Sequence, residues 1–166
     1  MIPVFSIVGS KSNVGKTRVL CNIIRELRSR GYRVGTIKHD VHGFDIDHPG
    51  KDTWLHAQAG ANVVTISSSK KMAIIEQLEE EYSLEDVINK INNVDIIITE
   101  GYKAENKPKL EVFRKEIAEK LCSKDDELFG IITDTPFNKT IPQFDFSQTK
   151  EIVDLIEEKF LKTNNN

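Results

Sequence analysis

Residues 3–8, PVFSIV, are apolar enough for a short buried strand, and from residue 17 apolar side chains recur at helical spacing. Between them lies GSKSNVGKT, Gly9 to Thr17. A strand, a glycine- and lysine-bearing loop and a helix in that order constrain the fold more than any other feature of the chain. The loop ends in Gly15-Lys16-Thr17, which is how a phosphate-binding loop ends. In such a loop the backbone N–H groups and the helix N-terminus point at an anion, and the helix dipole adds roughly half a positive charge. Gly15 lets backbone come close, Lys16 can reach terminal phosphates, and the Thr17 hydroxyl suits Mg²⁺. Ser12, Asn13, Val14, Gly15, Lys16, Thr17 and Arg18 are therefore the candidate phosphate-binding set.

The spelling departs from glycine, four residues, Gly-Lys-Ser/Thr. Gly9 comes one residue early and Ser10 stands at the first glycine position. Serine lacks glycine's freedom at positive φ, so the loop has to manage without it there. Lys11 falls five residues before Lys16. KSNVGKT thus resembles the deviant phosphate loop of the dimer-forming P-loop NTPases related to signal-recognition GTPases and MinD-type ATPases. In some members of that class an extra lysine there reaches across a dimer to the partner's nucleotide, a role the resemblance offers for Lys11. A solvated surface lysine is the simpler reading.

The rest of the chain alternates strands with helices. Val19, Leu20, Ile23, Ile24 and Leu27 form one stripe of a helix over 17–30, which Gly31 ends. Strands are expected at 32–37, 62–67, 72–76, 94–99, 110–113 and 128–133, and helices at 52–59, 83–92, 114–121 and 147–162. Ser83 is the expected N-cap of the 83–92 helix. The almost wholly apolar run VDIIIT, 94–99, suits a strand covered on both faces. This pattern predicts an α/β fold. It is an open, mostly parallel sheet with helices on both faces, a P-loop NTPase-like three-layer α/β/α arrangement. One nucleotide-binding domain is expected over 1–162, with a flexible tail at 163–166.

Ligands of such folds sit at the carboxyl ends of the strands. VDIIIT delivers Glu100 there, and the second strand delivers Lys38, His39 and Asp40. A phosphate loop needs a nearby acid for Mg²⁺, so Thr17, Asp40 and Glu100 are the candidate metal set. Lys16, Asp40 and Glu100 are the candidate catalytic groups. Asp95 lies at the wrong end of its strand and is expected to be structural.

The segment 38–51, KHDVHGFDIDHPGK, has no period, and a long loop in a compact domain is usually functional or disordered. His39, His42, His48 and His56 crowd this region, yet no CxxC or HExxH spacing accompanies them. Loop polarity or anion contact explains them more simply than a metal site. Phe44 and Trp54 flank the loop and either pack it down or form a docking surface. Guanine-reading Asn-Lys-x-Asp is missing, because neither Asn138-Lys139-Thr140-Ile141 nor Asn106-Lys107-Pro108-Lys109 ends in aspartate. Asp134 is the alternative acceptor for guanine N–H groups; plain turn chemistry in TDTP is the other explanation. Glu79 to Glu81 read as solvated surface.

With 39% hydrophobic and 30% charged residues in 166, the chain is an ordinary globular one. Its net charge of −3 argues against bulk binding to nucleic acid or anionic membrane. No apolar run approaches the ~18 residues that span a bilayer. Cys21 and Cys122 form no CxxC pair and are expected to be reduced. The start MIPVFSIVGS lacks a charged signal-peptide region, so a cytoplasmic protein is expected.

Taken together, VGSKSNVGKT, IKHD, HGFDIDHPGKDT, ITEGYK and PKLEVFR resemble the molybdopterin-guanine dinucleotide biosynthesis protein B family, MobB, in order and spacing from residue 2 to about 115. The block from His42 to Thr53, Lys51 included, and Glu100-Gly101-Tyr102-Lys103 carry most of that specificity. The resemblance implies a GTP- and Mg²⁺-binding P-loop protein, usually a homodimer, with weak GTPase activity. It implies an accessory role beside molybdopterin guanylyltransferase and possible contact with molybdenum-insertion proteins. It carries phosphate contact to Gly15, Lys16 and Thr17, and the acids to Asp40 and Glu100. Lys11, Lys51 and Asp134 are secondary candidates. The residues taken alone also suit a small-molecule kinase, or a nucleotide-switched module that delivers a metal or cofactor.

Overall fold

The computed structural model describes residues 1–40 and 42–162; the tail expected at 163–166 lies outside the described residues. In chain order the elements are β1 (Val4–Val8), α1 (Lys16–Ser29), β2 (Val34–Lys38), α2 (Asp52–Gln58), β3 (Val63–Ser67), β4 (Met72–Glu76), α3 (Leu84–Asn89), β5 (Ile96–Glu100), β6 (Lys109–Phe113), β7 (Leu128–Thr133), β8 (Gln143–Phe144) and α4 (Thr149–Ile156), which continues as a π-helical turn over Glu157–Leu161. The chain forms two compact units, one of Met1–His39 with Val87–Asn166 and one of Asp40–Asp86.

The first unit is built on a six-stranded sheet of order β2-β5-β1-β6-β7-β8. Every pairing in it is parallel. β1 therefore lies between β5 and β6, and the loop after β1 emerges beside the carboxyl end of β5. β5, β6 and β7 are buried along their whole length, as an apolar parallel strand predicts. α1 buries Val19, Leu20, Ile23 and Leu27. α4 buries Ile152, Val153 and Ile156. These side chains share one core with Phe5, Ile7, Ile96, Ile98, Leu110 and Val112. Fully burying a side chain of this size contributes about 1.5–3 kcal/mol. Arg30 ties α1 to the C-terminal helix by pairing with Glu26 (2.9 Å), Asp154 (2.6 Å) and Glu157 (3.0 Å).

The pairing register puts Ser6, Thr99, Lys109 and Glu111 on the opposite face. All four are buried. Each finds a partner: Thr99 donates to Ser6 Oγ (2.8 Å), and Lys109 pairs with Glu127 (2.9 Å). The Glu111 carboxylate accepts the N–H groups of Cys122 (2.6 Å) and Ser123 (3.0 Å). This corrects the helix expected over 114–121. Only one turn forms there, with the N–H groups of Ile117 and Ala118 bonding the Arg114 carbonyl. The segment offers Ile117, Ala118 and Leu121 among five charges, too narrow a stripe to hold a helix. Its next N–H groups are claimed by the buried Glu111 instead. β8, two residues long, was not expected.

The second unit consists of α2 and an antiparallel β3–β4 hairpin, with Val64 opposite Ile75. Val64 is its buried anchor, while Met72 and Ile74 are exposed. Ser83 and Asp86 cap the start of α3 reciprocally, through Ser83 Oγ on the Asp86 N–H and Asp86 Oδ2 on the Ser83 N–H. Cys21 and Cys122 are free thiols. Among the described residues no helix is long and apolar enough to cross a membrane.

Candidate functional site

The loop after β1 starts at Gly9 because nothing larger fits. A Cβ there would lie 2.8 Å from the Val112 carbonyl oxygen and 2.8 Å from Val14 Cγ2. Val14 itself is fully buried and belongs to the core. The loop makes its left-handed turns at Asn13 (φ 64°) and Gly15 (φ 105°). Asparagine and glycine tolerate that region best. Ser10 is not among the positive-φ residues, so the missing first glycine is no handicap. Gly15 then serves as the N-cap of α1.

A cavity of about 570 Å³ opens over this helix start. The loop and α1 line it with Ser12, Asn13, Gly15, Lys16, Thr17 and Arg18. The ends of β2 and β5 add Lys38, His39, Glu100 and Gly101. The Thr17 hydroxyl donates to Glu100 Oε1 at 2.8 Å. Glu100 is buried, at 9% exposure. Gly101 (φ 99°) and Tyr102 (φ 53°) then turn the chain sharply, and the Tyr102 ring stacks on His39 at 4.6 Å.

Three cations hold the loop's carbonyl oxygens. Lys16 Nζ donates to Lys11 O (3.0 Å), Lys103 Nζ to Ser10 O (3.3 Å) and Arg114 Nε to Val14 O (3.1 Å). Burial pushes the Lys16 ammonium below the ordinary lysine value; Glu100 opposes that shift and Lys103 adds to it. The Arg114 guanidinium also lies 3.9 Å from the centre of the Phe146 ring.

Asp40 belongs to the second unit and accepts the His42 N–H at 3.1 Å. Lys51, in the same unit, is the N-cap of α2. Asp134 accepts the Lys115 N–H at 3.1 Å, and Thr133 and Thr135 close the adjoining turn on each other. Asp95 pairs with Arg33 at 3.0 Å, the structural role expected of it. Among the described residues no three or more His, Cys, Asp or Glu side chains are grouped to hold a metal ion. Phe44 and Trp54 share a second cavity of about 650 Å³, within the second unit, with Ile46, Val64, Ile75 and Leu78. Asp47 beside it accepts the His48 N–H and the Thr53 hydroxyl, which fixes the entry to α2.

Sequence reasoning missed Lys103 and Phe146 as neighbours of the loop.

Comparison with known proteins gives a consistent result. The family model described as molybdopterin guanine dinucleotide synthesis protein B, MobB, matches residues 4–134. The molybdopterin-guanine dinucleotide biosynthesis adapter protein of Haemophilus influenzae is 31% identical over 158 residues, 94% of this chain and 88% of that protein. Its Escherichia coli counterpart is 31% identical over 171 residues, 99% of this chain and 97% of that protein. The crystal structure of Bacillus subtilis MobB superposes with a TM-score of 0.74 at 21% identity, over 96% of this chain and 98% of that one.

Proposed function

This chain belongs to the family of molybdopterin guanine dinucleotide synthesis protein B, and we propose from that membership that it is a nucleotide-binding adapter protein of molybdenum cofactor biosynthesis. It works beside the enzyme that attaches the guanine nucleotide to molybdopterin, in the cytoplasm and as a homodimer. GTP is its nucleotide, seated with the phosphates on the N–H groups of Ser12 to Thr17 and with Lys16 neutralising phosphate charge. Arg18 lines the same cavity. Lys11 is the residue positioned in sequence to act across the dimer.

The observation that carries this reading is the Thr17–Glu100 hydrogen bond at the cavity mouth. It brings a hydroxyl and a buried carboxylate, both hard oxygen donors, to one point beside a lysine. That donor set fits Mg²⁺. Thr17 and Glu100 would hold the ion. Bound there, Mg²⁺ supplies positive charge to the phosphate oxygens. Hydrolysis is expected to be slow, since Glu100 is engaged by Thr17 rather than free to act as a base, and a partner protein is expected to complete the site.

Native mass spectrometry with GTP, joined to co-precipitation with molybdopterin guanylyltransferase, tests the reading. A dimer that holds GTP and retains the transferase supports it. Stoichiometric phosphate transfer to a small metabolite would point to a kinase instead.

A further inference from the structure

We infer that Arg114, held on the ring of Phe146, is a positioning residue that sets the direction of the phosphate loop's amides, so that the C-terminal segment of the chain governs nucleotide affinity. The inference rests on the nucleotide site proposed above but adds two residues that do not line its cavity.

A trans peptide is planar, and its C=O and N–H point in opposite directions. A carbonyl drawn outward therefore aims the next residue's N–H inward. Arg114 Nε takes the Val14 carbonyl at 3.1 Å and so orients the Gly15 N–H. Lys103 on Ser10 O orients the Lys11 N–H, and Lys16 on Lys11 O orients the Ser12 N–H. These three contacts differ in permanence. Lys16 is expected to leave its carbonyl for a phosphate. Arg114 has a second anchor, because its guanidinium carbon sits over the Phe146 ring, 3.9 Å from the ring centre. Arginine's planar fork allows one N–H to donate while the face stacks. The pair sits directly against the loop: a Cβ on Gly15 would be 3.7 Å from Phe146 Cε1 and 3.8 Å from Arg114 Nε.

Phe146 lies between β8 and α4, where Asp145 accepts the Ser147 N–H at 2.7 Å. The brace thus joins the loop after β1 to the entry of the last helix. Arg114 acts on the loop rather than on the ligand. Its loss should weaken every ligand that uses the loop amides by the same factor, whatever the base and however many phosphates follow the second.

The test is calorimetric titration of Mg·GTP, Mg·GDP and inorganic triphosphate into wild type, Arg114→Ala, Arg114→Lys, Phe146→Ala and the Arg114→Ala/Phe146→Ala double variant. The expected result is a loss of about tenfold, equal for all three ligands, in both alanine variants. The double variant should lose little more, because the two side chains act as a unit. Lysine should restore little, lacking the planar face. Hydrogen exchange on the nucleotide-free proteins gives a reading that needs no ligand: the Gly15 amide should exchange faster in each alanine variant while the β5 and β6 amides keep their protection. Unchanged affinities or unchanged loop exchange overturn the inference. So does a loss confined to triphosphate-bearing ligands, which marks direct contact with the last phosphate, or to nucleotides, which marks contact with the base. If wild type bound no nucleotide, the proposed function would fall, and the exchange measurement alone would still decide the role of Arg114.

Discussion

The Thr17 hydroxyl and the Glu100 carboxylate, 83 residues apart in sequence, meet at 2.8 Å where α1 begins and β5 ends. The contact follows from topology. β5 pairs directly with β1 in parallel, so both release their next residues at the same edge of the sheet. Replacing Glu100 by Gln keeps the hydrogen bond and removes the charge. Magnesium dependence of GTP binding should then shrink by about tenfold or more, while binding without metal stays near wild type. Titrations with and without Mg²⁺ measure this; an unaltered metal dependence would remove Glu100 from the site.

Lys16 supplies a pH dependence. Its ammonium is held below the ordinary value of 10.5, mainly by burial. Phosphate binding prefers the charged amine and so raises its pKa. In the window between the depressed free value and the raised bound value, binding takes up a proton, and affinity falls as pH rises by up to about tenfold per pH unit. The decline should set in at lower pH than an ordinary lysine would give. Titrations of wild type across an alkaline pH series check it; an onset no lower than that of an ordinary lysine would contradict it.

Gly9 is fixed by contact rather than by dihedral freedom. In Gly9→Ala the new methyl would stand 2.8 Å from the Val112 backbone oxygen, which cannot swing away. The loop or β6 must shift. We expect a loss of about 2 kcal/mol in stability, read as a lower urea midpoint, together with weaker nucleotide binding.

Asp95 sets a small acid sensitivity. The side-chain and backbone bonds from Arg33 hold its carboxyl below the usual carboxylate value. The stability it contributes is present above the ordinary carboxylate pKa and fades as pH falls through the depressed one. For so exposed a pair the contribution is at most about 1 kcal/mol. Asp95→Asn should cost that amount at neutral pH, and the difference from wild type should vanish in acid unfolding curves.

Much of the site is legible in sequence because its determinants are local. PVFSIV, Gly15-Lys16-Thr17 and the apolar stripe of α1 each declare themselves within a few residues, and VDIIIT announces both a buried strand and the acid at its end. What failed was non-local. Nothing near residue 114 signals that Glu111 is fully buried and requires the N–H groups of Cys122 and Ser123, which stops the expected helix. Arg114 stands in the PKLEVFR block, but its partner Phe146 is unremarkable until the sheet sets the pair against Val14 and Gly15.

The most direct measurement is the titration of Mg·GTP, with Mg·ATP in parallel, into wild type and Lys16→Ala. The account predicts saturable binding of GTP by wild type and its loss in the variant, whose fold should be unchanged by circular dichroism. Binding of neither nucleotide by wild type, or equal binding by wild type and Lys16→Ala, would contradict it.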